Sequence, residues 1–184
     1  APGVYFTDKS DVNQGYIVLG HRGIRMDNPD YFAVEVMNRI FGTEGFSSRL
    51  MQRIRTEKGL TYGIFGGIEA DFTHDGTTTI YTFTKSGSVV EAVQAIKEEV
   101  KTLMDKGVTQ EELDRAKDGY LNKFVFNFDS MGQIVRRMQY YTFYNFPQDF
   151  VLKTKAAIEK VTVADVNRVA AKYWHPEKFV VYVV

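Results

Sequence analysis

Arg55 and Tyr62, seven residues apart, are the side chains whose types and spacing could do chemistry on a substrate. A guanidinium presents a fixed cationic fork and a phenol an O–H donor, and the two together suit a carbonyl oxygen or a developing oxyanion. The same short segment also carries Arg49, Arg53 and Lys58. A solvated basic helix face, with Arg53 and Glu57 paired at i, i+4, accounts for that pattern equally well. Other catalytic templates are missing. There is no G-x-S-x-G elbow and no cysteine, and Gly42-Thr43-Glu44-Gly45 lacks the lysine of a phosphate loop. The three histidines, His21, His74 and His175, stand singly, so no H-x-x-E-H pair and no local zinc-ligand spacing exists. His74 and His175 read as exposed loop residues and His21 as partly buried. Glu98-Glu99 and Glu111-Glu112 read as charged helix faces.

The stretch Gly42 to Tyr62, GTEGFSSRLMQRIRTEKGLTY, must position the pair. Ser47 or Ser48 is expected to cap a short helix with Leu50, Met51 and Ile54 on its buried face. Gly59 in the left-handed conformation would end it and fold Leu60 back on Ile54. That reversal sends Tyr62 past the last helical turn, into the space where Arg55 points.

The segment FSSRLMQRIRTEKGLTYG resembles the signature of the second homologous domain of the pitrilysin/insulinase-type zinc peptidases, a superfamily that includes the mitochondrial processing peptidases. The resemblance continues through a hairpin, a helix pair containing VTQEELDRAK, the helix VTVADVNRVAAKYW and the closing strand FVVYVV, in the order that family shows. It implies that Arg55 and Tyr62 match the arginine and tyrosine that reach the active site of the zinc-bearing domain and help bind substrate. It implies no metal or cofactor in this domain, with Zn2+ in a partner domain carrying H-x-x-E-H, and a peptide as substrate. The domain alone would be inactive. Some members have lost the zinc motif from the whole assembly and serve as structural subunits, so a non-catalytic interaction role stands as the alternative.

Around this centre the sequence reads as strands, then helices, then a strand. Val4 to Thr7 and Tyr16 to His21 are expected strands, followed by a helix opening at Asn28-Pro29-Asp30, burying Phe32, Val36 and Ile40, and closed by Gly42. Tyr62 to Ala70 and Thr77 to Thr84 flank a THDG turn, and Gly63, Gly66 and Gly67 point to a bulge or to a close backbone. A seam of Val89, Val93, Ile96, Val100 and Leu103 ends at Gly107. A Thr109–Glu112 capping box opens the next helix, with Leu113, Ala116, Tyr120 and Phe124 inward. Asp129 or Ser130 caps another, facing inward with Ile134, Met138 and Tyr141. A shorter helix spans Gln148 to Ile158, and the last opens at Thr162 with Asp165 and buries Val166, Val169 and Tyr173. Most aromatics between Tyr120 and Phe150 should be core, with Phe126, Phe143 and Tyr144 left to line a cavity or a domain contact. Lys178 to Val184 should be central or covered on both faces. The expected fold is α+β, a mostly antiparallel sheet of about four to five strands with helices on one side.

With 184 residues the chain suits a single domain, 1–184, and having no initiator methionine it reads as part of a longer two-domain chain or as one half of a two-subunit enzyme. Its 23 basic and 23 acidic residues cancel, which argues against nucleic-acid binding by phosphate neutralisation. No apolar run reaches membrane-spanning length. The expected setting is soluble, cytoplasmic or periplasmic if bacterial, and the absence of cysteine leaves the compartment open.

Overall fold

The computed structural model describes residues 1–184 except Ser10 and Gln148. Five strands form the main sheet: β1 (Gly3–Phe6), β2 (Gln14–Arg22), β4 (Ile64–Ile68), β6 (Thr77–Lys85) and β7 (Val180–Val183), in the order β1-β7-β2-β6-β4. Every neighbouring pair is antiparallel except β1 with β7, which run parallel. A short parallel pair that the sequence pattern does not signal, β3 (Ile24–Arg25) with β5 (Ala70–Asp71), sits beside it.

Alternation along the strands separates two faces. Ile17, Leu19, Ile64, Ile68, Ile80, Val181 and Val183 point into the core. On the other face Tyr5, Tyr182, Val18, Tyr81 and Phe65 are successive register partners, an apolar row crossing all five strands and left exposed. The closing strand is second in the order, paired on both edges but covered on one face only, since Tyr182 is 54% exposed. Its continuous apolar run supplies both faces of an alternating strand.

Six helices cover the core face: α1 (Tyr31–Asn38), α2 (Val89–Lys106), α3 (Gln110–Phe124), α4 (Met131–Phe143), α5 (Phe150–Lys160) and α6 (Val163–Tyr173). Thr109–Glu112, Ser130–Gln133 and Thr162–Asp165 each form the reciprocal side-chain and backbone bonds of a capping box. Asn28 is not the cap of α1. Its Oδ1 accepts from Asp30 N at 2.9 Å and from the Tyr173 hydroxyl at 3.0 Å, and Asp30 is the N-cap of a helix that begins at Tyr31. The expected α5 start at Gln148 lies outside the described residues, and its observed start is Phe150.

Gly42 does not close α1, because the chain continues in a wide helical turn, Arg39–Thr43. A Cβ on Gly42 would lie 2.2 Å from the Gly66 carbonyl, so the glycine is there for the approach of two backbones. β4 pairs with β6 in unbroken register through Gly66 and Gly67, with no bulge, and the backbone that comes close is the chain's own. Asn38 closes the outer edge of β4, accepting from Ile68 N at 2.8 Å and donating to Ile68 O at 2.9 Å. Fewer aromatics are core than the sequence implies. Tyr120, Phe124, Phe128, Tyr141, Phe146 and Phe150 are only half-buried and Tyr140 is exposed. Phe126 and Phe143, expected outside the core, are exposed, and so is Met138, expected to face inward, because α4 meets the body only along its Ile134, Arg137 and Tyr141 side.

Candidate functional site

The segment bearing Arg55 is a short helix, Met51–Glu57, preceded by a tight turn at Gly45–Ser47. Ser47 and Ser48 do not cap it; their hydroxyls donate backwards, to Glu44 O at 3.0 Å and Gly45 O at 2.8 Å. Leu50, Met51 and Ile54 are buried as the spacing requires. The helix is wider than an α-helix, with Lys58 N donating to Arg53 O, a geometry frequent at functional positions. Gly59 takes φ +65°, and Leu60 N donates to Ile54 O at 3.0 Å, closing the helix. Arg49 fixes this helix to the start of α3. It binds both carboxylate oxygens of Glu112, at 2.6 and 2.8 Å, and the Gly107 carbonyl at 2.8 Å. Burial pushes the Glu112 carboxyl up, but the Arg49 and Thr109 bonds outweigh it and hold it below the usual glutamate range. Arg53 pairs with Glu57 at 2.5 Å, so the surface-pair reading holds for Arg53 but not for Arg49 or Arg55.

The reversal brings Arg55 and Tyr62 together. Arg55 Nε donates to the Tyr62 carbonyl at 2.9 Å, and the guanidinium carbon lies 5.6 Å from the centre of the Tyr62 ring. The same carbon lies 4.6 Å from the centre of the Phe46 ring. The two terminal nitrogens of Arg55 have no hydrogen-bond partner among the described residues, and Tyr62 is 78% exposed. The result is a cation in contact with two rings with its fork open, beside a phenol facing solvent.

Threonines place Tyr62. Thr84 Oγ1 donates to Leu60 O, Thr82 Oγ1 to Gly63 O at 2.9 Å, and Thr61 Oγ1 to Phe83 O at 2.6 Å. These bonds clamp Leu60 to Gly63 onto β6 on either side of Tyr62. Neither Phe46 nor this clamp was read from the sequence. The signal for Phe46 was an aromatic in a glycine-rich turn with no helical partner; the threonines looked like ordinary strand residues.

The histidines do not make a metal site. His21 and His175 have ring centres 5.6 Å apart, but His175 N donates to His21 Nε2 at 3.3 Å, which occupies that nitrogen. His74 stands apart, its Nδ1 2.9 Å from Asp75 O. Among the described residues no group of three or more His, Cys, Asp or Glu side chains is arranged to hold a metal ion. Among them, too, no helix is long and apolar enough to cross a membrane.

Residues 1–120 match the family model described as the peptidase M16 inactive domain. A Bacillus subtilis relative named as the uncharacterized zinc protease YmxG is 27% identical over 131 residues, covering 71% of this chain and 32% of its own length. In Helicobacter pylori a relative named as a non-peptidase homolog is 28% identical over 159 residues, covering 85% of this chain and 36% of its own length. The chain thus spans about a third of the length of these relatives. The crystal structure of a peptidase M16 inactive domain from Pseudomonas fluorescens superposes with a TM-score of 0.87 at 28% identity, over 98% of this chain and 42% of that one.

Proposed function

Because the chain belongs to the peptidase M16 family, matching its inactive domain, we propose that it completes the substrate site of a metallopeptidase whose zinc sits in a homologous partner domain. The observation that carries this reading is the Arg55–Tyr62 contact, with the arginine fork free and the phenol exposed. Zinc in the partner would supply the Lewis acid and the activated water. Arg55 and Tyr62 would donate to the peptide carbonyl near the scissile bond, strengthening as negative charge develops on that oxygen. The Phe46 ring, 4.6 Å from the guanidinium carbon, would help hold it in place. The exposed row Tyr5–Tyr182–Val18–Tyr81–Phe65 is a surface that the partner domain or an enclosed peptide would cover.

The test is peptide hydrolysis by the zinc-bearing assembly with Tyr62→Phe. Loss of one donor to the oxyanion should lower kcat/KM about 10²-fold with the thermal midpoint unchanged. Unaltered hydrolysis would refute the role. A second reading, a structural subunit without hydrolysis, is favoured by the Helicobacter pylori relative named as a non-peptidase homolog. An assembly that neither binds zinc nor cleaves peptides would establish it.

A further inference from the structure

Sharing no residue with the Arg55–Tyr62 site, a cavity of about 440 Å³ lies between α1, α3 and α4. That volume falls in the range of small-ligand pockets. One wall is aromatic: Phe146 and Phe150 have ring centres 4.3 Å apart, and Phe72 lies 5.0 Å from Phe146 and 5.1 Å from Tyr140. A second cavity of about 450 Å³ shares Phe72, Phe146 and Phe150 with it, so the apolar wall runs through both.

The opposite wall is rich in donors. Arg39, Lys123 and Arg137 line it, and no Asp or Glu does. Arg39 and Lys123 share one carboxylate, that of Glu44, just outside the cavity. Arg137 has no carboxylate partner among the described residues. Its Nε donates to Asn127 O and its Nη1 to the Tyr141 hydroxyl, both at a long 3.3 Å, leaving Nη2 open. The half-buried Tyr31 and Tyr120 also line the cavity, and their hydroxyls have no hydrogen bond among the described residues. Burial raises both phenols, Tyr120 to about 12, so each remains an O–H donor at neutral pH. Glu35, beside them, is held above the usual glutamate range by burial, which weakens its claim on the neighbouring cations. Unused donors facing an acceptor-poor space call for an acceptor-rich anion. The aromatic wall calls for an apolar body attached to it.

We propose that this cavity binds a carboxylate carried on an aromatic or bulky apolar residue, the chemistry of the C-terminal residue of a peptide, with Arg137 and the Tyr31 and Tyr120 hydroxyls as its donors. Naming the ligand as a peptide end rests on the peptidase reading; the preference for an apolar carboxylate does not.

The test is calorimetric titration of the full-length protein with N-acetylphenylalanine and, separately, with its amide. The acid should bind with a Kd on the order of 1 mM, as befits a fragment of this size. The amide should bind at least about tenfold more weakly, since it loses the charge-assisted bonds. Arg137→Gln should remove that preference by weakening the acid alone, and Arg137→Lys, which keeps the charge without the fork, should retain part of it. Equal binding of acid and amide, absence of binding by both, or an undiminished preference in a folded Arg137→Gln variant would each overturn the proposal. Displacement of the acid by inorganic phosphate at matched ionic strength, with phosphate the tighter ligand, would also overturn it by assigning the pocket to phosphate. Because no turnover is measured, acid-selective binding in an assembly that fails to hydrolyse peptides would leave the pocket standing and remove only the peptidase reading.

Discussion

Phe46 touches Arg55 through its ring alone, which makes it the substitution that separates orientation from charge at the candidate site. Arg55 keeps its Nε bond to the Tyr62 carbonyl when Phe46 is shortened, but it loses the ring contact that would help hold its guanidinium in place. An exposed cation–ring contact is worth about 0.5–1 kcal/mol. Phe46→Ala should therefore lower kcat/KM for peptide hydrolysis in the zinc-bearing assembly by roughly 2- to 5-fold. That is well short of the Tyr62→Phe effect. The thermal midpoint should fall by no more than about 2–4 °C, since Phe46 is 63% exposed. A loss as large as that of Tyr62→Phe would mean that Phe46 itself meets the substrate.

The helix that carries Arg55 depends on two glycines for different reasons. At Gly59, with φ +65°, an added Cβ meets nothing within 4 Å, so Gly59→Ala tests backbone conformation alone. It should cost about 1–2 kcal/mol, lowering the midpoint by a few degrees, and loosen the approach of Arg55 to Tyr62. At Gly42 the obstacle is steric, because an added Cβ would lie 2.2 Å from the Gly66 carbonyl and the wide turn would have to move off β4. Gly42→Ala should be the more destabilising of the two in urea titration. A smaller effect at Gly42 than at Gly59 would contradict the close approach of these backbones. The threonine clamp belongs to this scale as well. Buried hydroxyls along β6 bond to the segment around Tyr62, so the element that aims the phenol is a strand about twenty residues downstream.

Across the whole molecule, Asp30 joins the first helix to the last. Its carboxylate accepts from Arg168 at 2.7 Å, Lys172 at 2.8 Å and the Tyr173 hydroxyl at 2.7 Å. Burial pushes its pKa up, but these three bonds prevail and hold it at about 2, against an ordinary 3.8. A folded-state pKa below the unfolded value contributes stability at neutral pH, and that contribution fades as pH falls from about 4 through about 2. With Arg168 and Lys172 each about half exposed, solvent screening leaves roughly 1–2 kcal/mol. Asp30→Asn should lower the unfolding free energy from urea titration by that amount at pH 7, and the gap from the parent protein should narrow as pH approaches 2. A gap independent of pH would mean that the joint acts by packing rather than by charge.

The sequence by itself determined what local rules determine. The Thr109–Glu112 capping box, the caps at Ser130 and Thr162, the positive φ at Gly59, the stop of α2 at Gly107 and the reversal that brings Arg55 to Tyr62 each follow from residues within a few positions of one another. The α+β class follows too, because periodicity distinguishes strand from helix without knowledge of partners. Only the tertiary structure decided what those elements meet. That Gly42 and Gly66 touch, that Asp30 serves α6 rather than its own helix, and that Arg49 belongs to Glu112 all depend on pairs distant in sequence and matched in shape or charge. The closing strand shows the same division. Its apolar run fixes it as a strand, but only the sheet order, with every helix on one face, leaves Tyr182 open to solvent. The cavity between α1, α3 and α4 is likewise a product of packing. Its donors come from three helices, and nothing in the spacing of Tyr31, Tyr120 and Arg137 announces that they share a wall.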